Sequence, residues 1–242
     1  MNTEKVELNI IFELYPYYFL NFCYNKGLIC AQLYLKSMNI LEKIIELKEK
    51  ISKDVEKKIK EFEEMNRKDD IQWFSELCFC ILTANTSAEL GLKMQRNITP
   101  EEFACLDEMS LAERLKNLGY RFYNTRAKYI HENQKYAHSI KKIIFEMNDE
   151  EKRYWLIKNI KGVNFKESSH FLRNVGYKNY AIIDKHIFKI MKENSLTDEI
   201  KITSKNYLKL EEELKKLASV LNMDLATLDL YLWYMETGKI LK

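Results

Sequence analysis

Ile160-Lys161-Gly162-Val163-Asn164-Phe165-Lys166 is the stretch on which the fold turns. A short turn with one glycine runs straight into a segment that opens with a lysine. Glycine and asparagine are the residues most tolerant of left-handed backbone, so Gly162 and Asn164 are expected to take permissive conformations at the outer positions of the turn. The pattern reads as helix, tight turn, helix. The start of the second helix offers free backbone N–H groups, which suit a phosphate. On this loop alone, an ordinary helix–helix connection explains the residues equally well. Working outward, Ala181-Ile182-Ile183-Asp184-Lys185-His186 follows the turn Val175-Gly176-Tyr177-Lys178-Asn179, and places Asp184 eighteen residues after Lys166. A carboxylate at a helix start is a common cap. It is also a second chemical group that can face the lysine across one cleft. Amine, carboxylate and phosphate seat together point to chemistry on a nucleic-acid sugar.

The 242 residues are enough for one large domain or two small ones, and 46% hydrophobic with 31% charged residues fits an ordinary globular protein. Six glycines and two prolines are too few for a loop-rich all-β fold. The net charge of +3 permits nucleic-acid binding without arguing for it. Cys23, Cys30, Cys78, Cys80 and Cys105 are odd in number and form no zinc pattern, so they read as reduced core thiols of a cytoplasmic protein. No cysteine follows Cys105, which excludes an iron–sulfur motif from the C-terminal half.

The apolar run near residues 9–20 is interrupted by Glu13 and Pro16 and is too short for a membrane span; no signal-peptide pattern surrounds it. A clean helical pattern begins after Met38, so the compact protein is expected to start there, with residues 1–37 as an appended segment. Residues 40–51 and 54–65 read as two charged amphipathic helices. Residues 71–84 are apolar nearly all round and read as the central buried helix. Further helices are expected near 110–117, over 123–145, near 148–158, and starting near Lys166, Asp184, Ser204 and Asp224. No stretch alternates with period two, so the fold class is all-α.

Ile160 to Lys166 resembles the hairpin of the helix-hairpin-helix base-excision DNA glycosylases, and Ala181 to His186 resembles that superfamily's V-D-T-H segment. The eighteen-residue interval between lysine and aspartate is similar as well. Leu77 to Asn85, Gly119 to Tyr123, Ser169 to Tyr177 and the stretch Trp233 to Lys242 resemble the archaeal-type 8-oxoguanine DNA glycosylase/AP lyases. The likeness covers about Met38 to Lys242. Lys161 stands where the superfamily hairpin has proline, and Asn164 where it has its second glycine.

The resemblance implies a two-lobed fold with the active cleft between a lobe of residues 66–178 and a lobe of 38–65 plus 179–242. It implies excision of 8-oxoguanine from double-stranded DNA, then β-elimination at the abasic site through a Lys166 imine, without metal, cluster or other cofactor. Lys166 would attack C1′ and Asp184 would stabilise charge on the sugar. The base must be flipped out to be reached. Trp233 is the candidate stacking surface, although packing in the core explains it equally well from its neighbours Leu230, Leu232 and Met235. Asn85 would fill the vacated place in the duplex, Arg121 and Phe122 would meet the orphaned base, and Gly162 with Asn164 would carry the phosphate contact. Lys242 would help to recognise the base, its carboxylate accepting from N7–H, the position at which 8-oxoguanine differs from guanine in donating. His170 and His186 are expected in structural or phosphate-adjacent places. A monomer is expected. The competing readings are a related glycosylase for oxidised pyrimidines and a non-catalytic helix-hairpin-helix DNA-binding protein.

Overall fold

A computed structural model of the chain describes residues 27–242, with side chains from Asn39 onward. Residues 1–26 of the expected appended segment, with Cys23, lie outside the described residues. Twelve α-helices and one 3-10 turn make up the described structure, and no strand occurs among the described residues. The helices are α1 Gly27–Asn66, α2 Asp70–Thr83, α3 Ala88–Asn97, α4 Pro100–Cys105, α5 Glu108–Asn117, α6 Tyr123–Asn133, α7 Ile140–Phe145, α8 Asp149–Asn159, α9 Phe165–Asn174, α10 Lys185–Glu193, α11 Tyr207–Val220 and α12 Leu225–Thr237.

The expected pair 40–51 and 54–65 is one continuous helix, α1, which begins upstream of Met38. Neither Gly nor Pro occurs between Gly27 and the end of α1, and Ile51 and Val55 lie four apart on one buried face across the expected break. The expected single helix 123–145 is divided into α6, a 3-10 turn at Gln134–Tyr136, and α7. Tertiary hydrogen bonds account for the division. Gln134 Nε2 donates to the carbonyls of Phe103 (3.1 Å) and Leu106 (2.7 Å), which fixes the turn against α4. Cys78 and Cys80 are buried free thiols as expected of core positions, but Cys105 is exposed at the end of α4.

Buried apolar side chains fall into two clusters. One surrounds α2, with Trp73, Phe74, Leu77 and Phe79 fully buried among Phe103, Leu115, Ile130 and Phe171. The other joins Ile40, Ile44 and Val55 of α1 to Ile187, Leu210, Leu214 and Leu230 of α10, α11 and α12. Phe165, the first residue of α9, packs in the second cluster, whereas Phe171, nearly two turns on, packs in the first. The lysine after the hairpin therefore stands where the two clusters meet.

Candidate active site

The hairpin is built by α8, the five-residue connection 160–164 and α9. Gly162 takes φ +81, and a Cβ there would stand 2.6 Å from the ring of Tyr129. Both conformation and space thus require glycine. Asn133 holds the turn from behind: its side chain accepts from Lys161 N and donates to Lys161 O, each at 3.0 Å. Asn164 departs from the left-handed expectation. Its φ of −130 is extended, and it serves as the N-cap of α9, accepting from Phe165 N at 2.9 Å. Glu167 completes a capping box by accepting from Asn164 N at 3.2 Å. A capping residue, rather than a second glycine, therefore suits this site.

Lys166 is the second residue of α9. Its side chain is partly exposed, and Nζ lies 3.2 Å from Glu167 Oε1. Glu167 therefore both caps the helix and neighbours the amine. Asn-x-x-Glu is the sequence pattern of such a box, so Glu167 was within reach of sequence reasoning.

Asp184 arrives at the cleft on an extended segment, not on a helix. Buried backbone must find partners, and two residues of α11 supply them. Glu211 accepts from Ala181 N at 2.8 Å, while the Tyr207 hydroxyl donates to Ala181 O and accepts from Ile183 N, both at 2.9 Å. Glu211 is itself ion-paired with Arg153 at 2.6 Å. One residue on, Asp184 Oδ1 accepts from His186 N (2.8 Å) and Ile187 N (2.9 Å), which makes it the N-cap of α10. The cap uses one carboxylate oxygen for both bonds.

Lys166 and Asp184 line one cleft, open at its mouth and enclosing about 90 Å³, with Thr83, His170, Arg173, Asp229, Trp233 and Lys242 also in its walls. His170 and Trp233 each leave a buried ring nitrogen without a partner, the kind of polar atom that a bound ligand satisfies. Burial and the cations Arg173, Lys166 and Lys242 push the His170 imidazole well below its usual range, so it is neutral at pH 7. His186 lies edge-on to Trp233 at 5.4 Å and 3.3 Å from Glu236.

Beneath the cleft is a buried polar chain. Arg173 pairs with Asp229 through a short hydrogen bond and binds Asn174 Oδ1 through Nε and Nη2. Asn174 Nδ2 donates to Glu76 Oε2 at 3.1 Å, and Lys242 Nζ donates to Glu76 Oε1 at 2.5 Å. Burial raises the Asp229 carboxyl to about 6, against the pull of Arg173 and with the repulsion of Asp184.

The structure thus brings Lys166, Asp184, Trp233 and Lys242 together. Asn85, Arg121, Phe122, Gly162 and Asn164 are not in the cleft wall. Asn85 is exposed, with φ +62, in the loop between Thr83 and Thr86, both of which do line the cleft. Its left-handed turn is held by Arg126, donating to Ala84 O at 2.8 Å, and by the Tyr120 hydroxyl on Leu82 O at 2.6 Å. The Arg121 guanidinium lies 5.0 Å over the Phe122 ring. Glu76, Arg173, Asp229, Tyr207 and Glu211 escaped sequence reasoning. The signal available was a charge, Glu76 or Asp229, within a mainly apolar run of its helix.

Residues 55–223 match the family model described as 8-oxoguanine DNA glycosylase. The 8-oxoguanine DNA glycosylase/AP lyase of Methanocaldococcus jannaschii is 46% identical over 210 residues, 85% of this chain and all of that protein. The protein of that name from Thermotoga maritima is 37% identical, over 83% of this chain and 98% of its own. The crystal structure of the M. jannaschii enzyme in complex with a 15mer DNA containing 8-oxoguanine superposes with a TM-score of 0.81 at 44% identity, covering 84% of this chain and 99% of that one. The T. maritima structure gives 0.80, covering 85% of this chain and all of its own. The chain belongs to the 8-oxoguanine DNA glycosylase family.

Proposed function

We propose that this chain is a bifunctional DNA repair enzyme that excises 8-oxoguanine from double-stranded DNA and cleaves the resulting abasic site by β-elimination. The observation that carries the reading is the convergence of Lys166, Asp184, Trp233 and Lys242 on one cleft. An amine and a carboxylate at the seat of a sugar suffice for the two steps. Lys166 Nζ attacks C1′ as the bond to the base breaks and the base leaves with a proton; the C1′–O4′ bond of the resulting aminal then breaks, O4′ takes up a proton, and the nitrogen lone pair forms the imine. The imine withdraws electrons from C2′, so that loss of a C2′ proton expels the 3′ phosphate. Asp184 stabilises positive charge on the sugar as the base departs and assists the proton transfers.

The base lies against Trp233, with Lys242 and the unpaired nitrogens of His170 and Trp233 in reach of its polar edge. Asn85, Arg121 and Phe122 take the duplex side, where the exposed left-handed loop and the stacked Arg121–Phe122 pair suit a gap left by flipping. The capping box already occupies the N–H groups of Asn164 and Phe165, so the phosphate contact falls to the turn at Gly162. The two apolar clusters support a division into residues 66–178 and 38–65 plus 179–242. The reading includes a cytoplasmic monomer; no helix among the described residues is long and apolar enough to cross a membrane.

Borohydride trapping on duplexes carrying 8-oxoguanine, an oxidised pyrimidine or an abasic site tests enzyme class and substrate together. A covalent adduct is expected on the first and third, and none with Lys166→Gln. An adduct on the pyrimidine lesion alone would favour the related glycosylase. An adduct that survives Lys166→Gln would remove the lysine from its role.

A further inference from the structure

Lys242 belongs to a short tail that leaves α12 through Gly238, whose φ of +68 turns the chain back toward α2 and α3. Two ion pairs fasten it. Lys239 meets Glu89, at the start of α3, on the surface at 2.9 Å. Lys242 meets Glu76 in the interior at 2.5 Å. The two are not equivalent. The surface pair is screened by water and holds little. Glu76 is 3% exposed, in the middle of the most apolar helix among the described residues, and a charge in that position is tolerated only with partners. Asn174 and Gln95 supply neutral donors to it, and Lys242 is the cation that hydrogen-bonds it. The same ammonium stands 4.9 Å over the Phe79 ring, which also makes a T-shaped contact with the His170 ring at 5.4 Å. Lys242 thus has a fixed seat on the floor of the cleft, made of a buried carboxylate and an aromatic face.

We propose that Glu76 is a specificity-determining positioning residue: through the Lys242 ammonium it fixes the tail as the base-facing wall of the cleft. This rests on the functional reading given above. The group is placed to act on the base and not on the sugar. Its hydrogen-bond chain toward the sugar end runs through Asn174 and Arg173 to Asp229, three bonds away, and Asp229 meets Asp184 only by charge repulsion. Loosening it therefore impairs seating of a flipped base more than it impairs cleavage of a site whose base is already gone.

The test is the ratio of the single-turnover excision rate on 8-oxoguanine to the cleavage rate on a preformed abasic site in the same sequence. Glu76→Gln keeps the shape and removes the charge. It should lower this ratio about tenfold, the scale of one misplaced hydrogen bond. Lys242→Met should do the same, and the double variant should be no worse than the poorer single, because both break one contact. Lys242→Arg should recover part of the loss. Unchanged ratios in both singles, or a double variant whose loss is the product of the two, would overturn the proposal. If Glu76→Gln does not fold, Lys242→Met and its arginine rescue decide alone: an unchanged ratio overturns the anchor. Failure of the wild-type protein to release 8-oxoguanine is a different result, which sinks the functional reading and the anchor with it.

Discussion

Tyr207→Phe removes a single oxygen, 24 residues beyond the backbone it serves. That oxygen satisfies two main-chain groups of the extended segment, Ala181 C=O and Ile183 N–H, each at 2.9 Å. Ala181 is 2% exposed and Ile183 1%, so water cannot replace the lost partner. The ring itself stays, stacked on Phe165 at 5.1 Å, so little apolar packing is lost. Each buried group left unpaired costs about 1–3 kcal/mol. Two such groups give about 2–6 kcal/mol, and the lower half of that range is expected because Glu211 still holds Ala181 N. For a chain of this size about 1 kcal/mol shifts the melting temperature by roughly 2–4 °C, so the variant should melt about 4–16 °C lower. Asp184 is the residue after Ile183, and on the role proposed for its carboxylate, misplacing it by a fraction of an ångström should slow base excision by about 10- to 100-fold. The assay is single-turnover excision well below the variant's melting point, beside a thermal melt. Tyr180→Phe is the control. Its hydroxyl donates to Asp149 O at 2.6 Å, away from the segment's end, so it should lose stability without a comparable loss of rate. A Tyr207→Phe protein that melts lower but excises at the wild-type rate would show that the α10 cap alone places Asp184. One that is unchanged in both respects would refute the pairing argument.

Asp184→Asn should slow turnover by roughly 10²–10⁴-fold while changing stability by less than about 1 kcal/mol, since asparagine caps a helix nearly as well; single-turnover rates near wild type would leave it a cap only. Gly162→Ala should cost about 2–3 kcal/mol by thermal melting, from a left-handed backbone and a Cβ pressed on Tyr129, and should weaken binding to an undamaged duplex; a melting point within a degree of wild type would contradict the close approach. The Asp229 carboxyl titrates near 6 when folded and near the ordinary carboxylate value when unfolded, so its proton stabilises the fold at low pH and that contribution is lost as pH rises through about 6. The wild-type melting temperature should therefore fall more between pH 5 and 7.5 than that of Asp229→Asn, and parallel curves would contradict the burial argument.

The parts of the fold that could be read in advance are those set by local chemistry. Gly162 as the pivot of the hairpin, the buried run of α2 and the starts of α9, α10 and α12 all follow from residue type and spacing. Two errors came from treating weak local signals as breaks or their absence as continuity. Ser52 and Asp54 do not interrupt α1, because Ile51 and Val55 keep the buried face continuous across them. Nothing local interrupts 123–145, yet Asn133 and Gln134 spend their side chains on Lys161, Phe103 and Leu106 and turn the chain there. The short helix α4 was missed although its start was legible: Thr99-Pro100-Glu101-Glu102 is a capping box with proline at the first helical position.

The buried charges were hidden for a different reason. Periodicity identifies which face of a helix is apolar, but the partner of a charge on that face is a tertiary fact. Arg173 finds Asp229 across 56 residues, and Glu76 finds Lys242 across 166. Stability does not explain why such pairs are kept, since well-packed apolar residues of the same volume are often as good or better. Position does. One pair stands beside Asp184, at the end of the cleft that we propose takes the sugar, the other under the tail at the end proposed for the base, and Asn174 joins them. A hydrogen bond between ions fixes distance and direction, which apolar packing leaves freer. The two ends of the cleft are thus held in register by a polar chain running through an otherwise apolar interior. That is where a reaction on a sugar, conditional on the identity of its base, most needs fixed geometry.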